Sequence, residues 1–273
     1  MLLAFDIGNS SITIGAFRLH ADGTNELVCR FGISARAGST SDEYVMFIRD
    51  YLEHAGIAVH GQTPISGDAI DCAVISSVVP GLTHVLSRAA KILSGSDPFI
   101  ITPGIHTGFG IRIKDPAQLG ADIVSNAAYS LRLSDVPLVI LDMGTATTLT
   151  VVDKNADIIG TIILPGLRIS MDALTDSAAL LNGVSLDKPE HLIGRDSRES
   201  ILSGVIGGHI LMIDGFLRNI REELNLKETG EKLGLVSTGG LAECIIPHTR
   251  NRFTHEPSLT LYGAAELYRR NVK

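Results

Sequence analysis

Two short segments join an aspartate to a glycine and then to amide and hydroxyl side chains: Asp6-Ile7-Gly8-Asn9-Ser10-Ser11-Ile12-Thr13 and Asp142-Met143-Gly144-Thr145-Ala146-Thr147-Thr148-Leu149. The glycine lets the backbone bend sharply and lets a bound group approach the amides. The Asn, Ser and Thr side chains can donate hydrogen bonds to phosphate oxygens. The aspartate at the strand end can hold a hydrated cation, which offsets phosphate charge. One Asp-Gly turn alone is more simply a hairpin; two in matching contexts point to phosphate. A third segment, Ser237-Thr238-Gly239-Gly240-Leu241-Ala242, follows a strand and opens a helix. Free N–H groups there suit a nucleotide, although glycine pairs also occur in plain turns. A fourth, Gly120-Ala121-Asp122-Ile123, puts a carboxylate at a helix start. Phosphoryl transfer to an alcohol needs the hydroxyl in line and somewhere for its proton to go, and a carboxylate within reach does both. Taken alone, Asp122 reads more simply as an acid that interacts with the helix macrodipole.

The elements that must hold these segments follow from the hydrophobic pattern. Residues 1–5 read as a strand, 6–9 as a turn and 11–18 as a second strand. A turn at 21–25 leads to a third strand, 26–33, which makes an antiparallel meander. Ser39-Thr40-Ser41 offers N-caps to an amphipathic helix over 42–55. A polar loop at 60–69, a buried strand at 71–76, a helix at 80–93 and a short strand at 98–102 come next. The stretch 103–118 holds Pro103, Gly104, Gly108, Gly110 and Pro116, and places a boundary between domains 1–116 and 117–273. A helix over 121–133 and a strand over 138–141 follow. The opening pattern then returns: turn, strand to 152, turn at 153–157, strand to 164. Helices at 168–180 and 198–225, a strand at 233–237 and a helix at 259–270 complete the chain. Two such halves suggest a duplicated α/β fold with a cleft between them.

Composition removes other classes. The 273 residues carry 23 basic and 30 acidic side chains, a net charge of −7, which argues against a general nucleic-acid binder. With 45% hydrophobic and 19% charged residues, the chain can bury a core without disulfides or structural metal. Cys29, Cys72 and Cys244 lie far apart and form no CxxC pair, so neither a zinc nor a disulfide framework is expected. The start has no basic region ahead of Asp6, unlike a signal peptide. No apolar run approaches roughly 18 residues, so no membrane span is expected. The expectation is a soluble, cytoplasmic protein with no nucleic-acid or membrane partner. Gly204, Gly207, Gly208 and Gly215 would let a neighbouring helix approach the helix over 198–225 closely.

The glycine-bearing segments together resemble the phosphate-1, phosphate-2 and adenosine motifs of the acetate and sugar kinase, heat-shock chaperone and actin superfamily. Asp6 to Ser10, Leu119 to Asp122, Asp142 to Thr148, Pro165-Gly166, Ile193-Gly194-Arg195, Ser203-Gly204 and Thr238 to Ala242 are similar, in order and spacing over essentially the whole chain, to the type III pantothenate kinase family. The resemblance implies duplicated ribonuclease-H-like (actin-like ATPase) domains, each a mixed five-stranded sheet flanked by helices. It implies ATP, Mg²⁺ and K⁺ or NH₄⁺, and a homodimer in which the partner subunit completes the acceptor pocket. It also implies phosphorylation of pantothenate to 4′-phosphopantothenate, the first step of coenzyme A biosynthesis. By the same resemblance Asp6, Ile7, Gly8, Asn9, Ser10, Ser11, Ile12 and Thr13 match the first ATP loop, with Asp6 near Mg²⁺ through water. Thr145, Gly239 and Gly240 match further ATP contacts. Asp142 matches the monovalent-cation ligand and Asp122 the catalytic base.

The acceptor side departs from the family pattern. Its loop normally ends Gly-x-Asp-Arg, and here it is Gly120-Ala121-Asp122-Ile123. A Tyr seven residues before that glycine is Ile113, and a Thr after the Ile-Gly-Arg stretch is Ser197, which keeps the hydroxyl. A hydrogen bond to a charged group contributes roughly 1.5–3 kcal/mol net. Losing an acceptor-binding Arg would weaken transition-state binding by about one to two orders of magnitude. Either Arg112, Lys114 or Arg168 substitutes, or the acceptor is another small alcohol. A nucleotide-binding regulator without turnover is a third reading, which the retained Asp122 counts against.

Overall fold

The computed structural model describes residues 1–36, 38–62, 68–175 and 188–272. The elements are β1 (Leu2–Ile7), β2 (Ser11–Leu19), β3 (Asn25–Ser34), α1 (Ser41–His54), β4 (Cys72–Ser77), α2 (Pro80–Ser94), β5 (Phe99–Ile100) and α3 (Ala121–Leu133). Then come β6 (Leu138–Met143), β7 (Ala146–Val152), β8 (Ile158–Pro165), α4 (Leu167–Thr175), α5 (Ser197–Leu202), α6 (Gly208–Glu223), α7 (Leu226–Thr229), β9 (Gly234–Thr238), α8 (Ala242–Ile245), β10 (Thr254–His255) and α9 (Leu259–Asn271). The expected elements are present to within a few residues, and α7 and β10 are present without having been expected. Residues 63–67 of the expected polar loop and 176–180 of the expected helix after Arg168 lie outside the described residues.

Packing divides the chain into two units. One is Met1–Phe109, Lys114–Tyr129 and Ser258–Lys273; the other is Gly110–Ile113 and Ser130–Pro257. The sequence placed one boundary at 116/117. The packing instead groups most of α3 and all of α9 with the first unit.

In the first unit the sheet order is β3-β2-β1-β4-β5, with an antiparallel meander and β4 and β5 added in parallel. β1 is buried along nearly its whole length, as a central strand covered on both faces must be. Leu3, Phe5 and Ile7 join Ile12, Ile14, Ile48, Leu52, Leu86 and Leu93 in a core under α1 and α2. Each such fully buried side chain contributes about 1.5–3 kcal/mol. α1 starts with a capping box: Thr40 Oγ1 accepts from Glu43 N–H at 3.3 Å, and Glu43 Oε2 accepts from Thr40 N–H at 2.7 Å. α9 covers the opposite face of the sheet, with Tyr262 edge-on to Phe17 at 5.2 Å and stacked on Tyr129 of α3 at 4.6 Å.

The second unit repeats the plan, with order β10-β9-β6-β7-β8. Val139, Leu141, Met143 and Leu149 pack with Leu167, Val205, Ile206, Ile213 and Leu217 of the helices. α5, a π-helical stretch at Ser203–Gly207 and α6 form one 27-residue helix, Ser197–Glu223. Against expectation, this helix is long and apolar enough to cross a membrane by length and composition alone. The reason is packing: Leu202, Val205, Ile206, Ile213, Leu217 and Ile220 face the core of the unit. Three of the helix glycines meet no other helix among the described residues: a Cβ at Gly204, Gly208 or Gly215 would find no atom within 4 Å.

Candidate active site

The first phosphate-type segment is the β1–β2 hairpin. Asp6 pairs with Thr13 and Ile7 with Ile12, and Gly8 N–H donates to Ser11 O at 3.0 Å to close the turn. Asn9, Ser10 and Ser11 are exposed at its tip. Ile7 and Ile12 are fully buried in the core, so only their backbone remains to meet a ligand. The second segment is the β6–β7 hairpin. Asp142 pairs with Thr148 and Met143 with Thr147, and Gly144 N–H donates to Ala146 O at 3.1 Å. This turn is one residue shorter than the first. Thr13 therefore corresponds to Thr148, not to Leu149 as the ungapped alignment of the two segments had it. The shift puts Thr147 in the place of Ile12, fully buried, with its Oγ1 left without a hydrogen-bond partner.

Two backbone contacts fix the surroundings of this second hairpin. A Cβ on Gly166, between β8 and α4, would run into the Thr145 carbonyl, so the helix start lies directly on the loop. Gly239 has φ +95°, and a Cβ there would come within 2.5 Å of the Met143 backbone. Since β9 runs parallel to β6 with Thr238 opposite Asp142, the second unit gathers Asp142, Thr145, Gly166, Gly239 and Gly240 at one end of its sheet.

The first unit gathers the acceptor motif in the same way. Ser76 and Ser77 of β4 lie opposite Asp6 and Ile7, and Val78 N–H donates to Ile7 O at 3.1 Å. Val78 Cγ1 lies 3.3 Å from where a Gly120 Cβ would stand, and Ser125 Oγ donates to Ser76 Oγ at 3.3 Å. Gly120, Ala121, Asp122 and Ile123 thus sit at the end of the sheet that carries the first hairpin. Asp122 is half-buried, and its Oδ1 accepts from Ile123 N–H at 2.8 Å. Burial raises its pKa above the ordinary carboxylate range, opposed in part by that backbone hydrogen bond.

Two further expected acceptor residues, Ile113 and Ser197, belong to the second unit. Ile113 belongs to the 110–113 segment of the second unit, which docks on the start of β8 through an Ile111–Ile158 bridge and an Arg112 N–H bond to Ile158 O at 2.8 Å. That is the end of β8 opposite to Pro165, roughly 23 Å away along the strand at about 3.3 Å per residue. Arg112 also forms an ion pair with Asp157, which engages one of the three cations that could replace the family arginine. Arg168 is exposed in the first turn of α4, two residues beyond Gly166. Ser197 is exposed at the start of α5, where Asp196 caps the helix by accepting from Glu199 N–H at 2.8 Å. The adjoining cleft, of about 510 Å³, is lined by Lys188, His191, Arg195, Arg198 and Glu199 among others. Glu199 accepts from Arg195 N–H at 2.8 Å and lies 2.9 Å from His191 Nδ1, and these contacts hold its pKa down.

Two α/β units, each with a meander extended by parallel strands and an Asp-Gly hairpin at one end of the sheet, define the actin-like ATPase class that includes sugar kinases. A Campylobacter jejuni crystal structure described as a Baf family transcriptional activator has the same fold, with a TM-score of 0.57 at 18% identity over 98% of both chains. Residues 2–219 match the type III pantothenate kinase family. A type III pantothenate kinase of Shouchella clausii is 35% identical over 271 residues, 99% of this chain and 100% of the relative. One of Moorella thermoacetica is 34% identical over 272 residues, the full length of both. The chain belongs to the type III pantothenate kinase family and is a kinase.

Proposed function

We propose that this kinase transfers the γ-phosphoryl group of ATP to the primary hydroxyl of pantothenate, with Asp122 as the base that receives the hydroxyl proton. The observation that carries this reading is the setting of Asp122: a half-buried carboxylate with a raised pKa, at the end of the sheet that also bears the Asp6 hairpin. A base with its pKa moved towards neutrality takes the proton more effectively. The donor set fits a nucleotide triphosphate. Asn9, Ser10, Ser11 and Thr145 are exposed hydrogen-bonding side chains on the two hairpins, and Thr147 Oγ1 is a buried hydroxyl with no partner. Asp6 would hold Mg²⁺ through water, Asp142 would hold K⁺ or NH₄⁺, and Gly239 and Gly240 would let the nucleotide approach the backbone. Among the described residues no three His, Cys, Asp or Glu side chains cluster to hold a metal ion. In this reading each cation rests on its one assigned carboxylate, with water or phosphate filling its other positions. When bound, Mg²⁺ neutralises charge on the transferring phosphoryl group.

The acceptor contacts in this proposal are Gly120, Ala121, Asp122, Ile123, Ile113 and Ser197. A homodimer that completes the acceptor pocket is supported by the surface of the long helix. Gly204, Gly208, Leu211 and Gly215 are spaced four, three and four residues apart, and Leu211 is exposed beside Met212. A cytoplasmic location is supported by the three free cysteines and by the need for ATP. A second reading, a kinase for another small alcohol, is favoured by Ile113 and Ile123, which carry no group for a carboxylate. The deciding experiment is ADP release with MgATP, K⁺ or NH₄⁺, and pantothenate, against a blank without acceptor. Pantothenate-dependent release is expected; release that appears only with other alcohols would replace the acceptor.

A further inference from the structure

The second unit contains a line of side chains that phosphoryl transfer does not use. Ser237, the residue before Thr238-Gly239-Gly240, is fully buried, and its Oγ lies 3.0 Å from His255 Nδ1. On the other side of the ring, Nε2 faces Glu243 Oε1 at 3.6 Å. Glu243 lies on α8, just past the same loop. The residue types are those of a hydrolase relay, but Ser237 has no exposed surface through which to meet a substrate. The arrangement is therefore positional. His255 is also fixed through its backbone: it pairs with Ser237 between the parallel strands β10 and β9, and Glu256 N–H donates to Ser237 O at 2.9 Å.

We propose that His255 is a positioning residue for the nucleotide, a clamp that grips both flanks of the 238–241 loop through Ser237 and Glu243. The inference rests on the reading above that Gly239 and Gly240 contact ATP. With the Ser237 hydroxyl donating to Nδ1, the neutral ring carries its proton on Nε2, towards the Glu243 carboxylate. Two successive glycines make the loop soft, and any freedom it keeps must be frozen when a ligand binds. A clamp at both flanks removes that freedom beforehand. Its loss should appear in ATP affinity and leave acceptor affinity alone.

The test is calorimetric ATP binding by the full-length protein without acceptor, together with KM for ATP, KM for pantothenate and kcat. One hydrogen bond of ordinary strength, with a longer polar contact to Glu243 beside it, corresponds to roughly a 3–10-fold weakening, so His255→Ala should raise the ATP Kd and KM by about that factor. KM for pantothenate and kcat should stay within about twofold. His255→Gln, whose amide can still accept from Ser237, should recover most of the loss, and Glu243→Ala should show a part of it. Gly240→Val serves as the check on the loop, since a Cβ at Gly240 meets no protein atom within 4 Å. If Gly240→Val weakens ATP binding and His255→Ala does not, the clamp is wrong and the nucleotide loop stands. If neither weakens it, the loop does not bind the nucleotide and the proposal falls with that reading. Parallel loss for both substrates and kcat would mark a merely structural role and also overturn it. Should His255→Ala not fold, Ser237→Ala and Glu243→Ala decide, and unchanged ATP affinity in both rejects the clamp.

Discussion

Asp122 serves two opposed requirements. Its burial raises the pKa, which suits a base, yet the same burial makes the ionised form costly to hold. A group whose folded pKa lies above its unfolded value favours the fold at low pH and loses that contribution as pH rises through the folded pKa. At neutral pH the charged Asp122 therefore costs stability. Asp122→Asn keeps an oxygen for the Ile123 N–H but carries no charge. We expect it to melt at a higher temperature than the wild type, to bind ATP normally and to lose about 10²–10⁴ in kcat; full activity would remove Asp122 from the role of base. In the wild type, kcat should fall as pH drops through the raised Asp122 pKa, so the acid limb should lie above the range of an exposed carboxylate. A limb at the ordinary carboxylate position would assign it to another group. Asp122 stood out in the sequence through the family resemblance; taken alone it reads as an acid at a helix start. Thr147 and His255 did not. The unpartnered hydroxyl of Thr147 follows from a one-residue difference between hairpins, and His255 lies on a two-residue strand too short to show any alternation.

Both hairpins were legible as elements because an apolar strand, an Asp-Gly turn and a second strand recur at the same spacing. Their register was not legible. The side-chain period of a strand is two, so one residue more or less in a turn reverses which face each later residue takes. Turn length depends on which N–H reaches which carbonyl, and that is a three-dimensional fact. The glycines of the 238–241 loop also differ in ways the sequence cannot separate. Gly239 needs φ +95° and lies against the Met143 backbone, whereas Gly240 has open space around its Cα. Gly239→Ala should cost about 1–3 kcal/mol or more in unfolding free energy, and Gly240→Ala should cost less than about 1 kcal/mol. Denaturant titration of both variants tests this; equal losses would mean that the positive φ at Gly239 is not what the loop depends on.

On the scale of the molecule, the sheets and most helices followed from periodicity, and the grouping of segments into units did not, because the last helix packs far from its neighbours in sequence. Assembly is open to a direct test. Leu211 is 57% exposed beside Gly204, Gly208 and Gly215, where an added Cβ meets no atom of the described residues within 4 Å, so Leu211→Glu should leave the fold intact and convert a dimer to a monomer in light scattering. A wild-type monomer would remove the proposed role of a second subunit in the acceptor pocket. The return of α9 to the first unit bears on synthesis. The ribosome delivers Leu2, Ala4 and Phe17 before the second unit, and the helix that carries Leu261 and Tyr262 to cover that face only after it. While the second unit is being made, the first sheet has one face without its own cover, which makes the nascent chain a client for chaperones until α9 emerges.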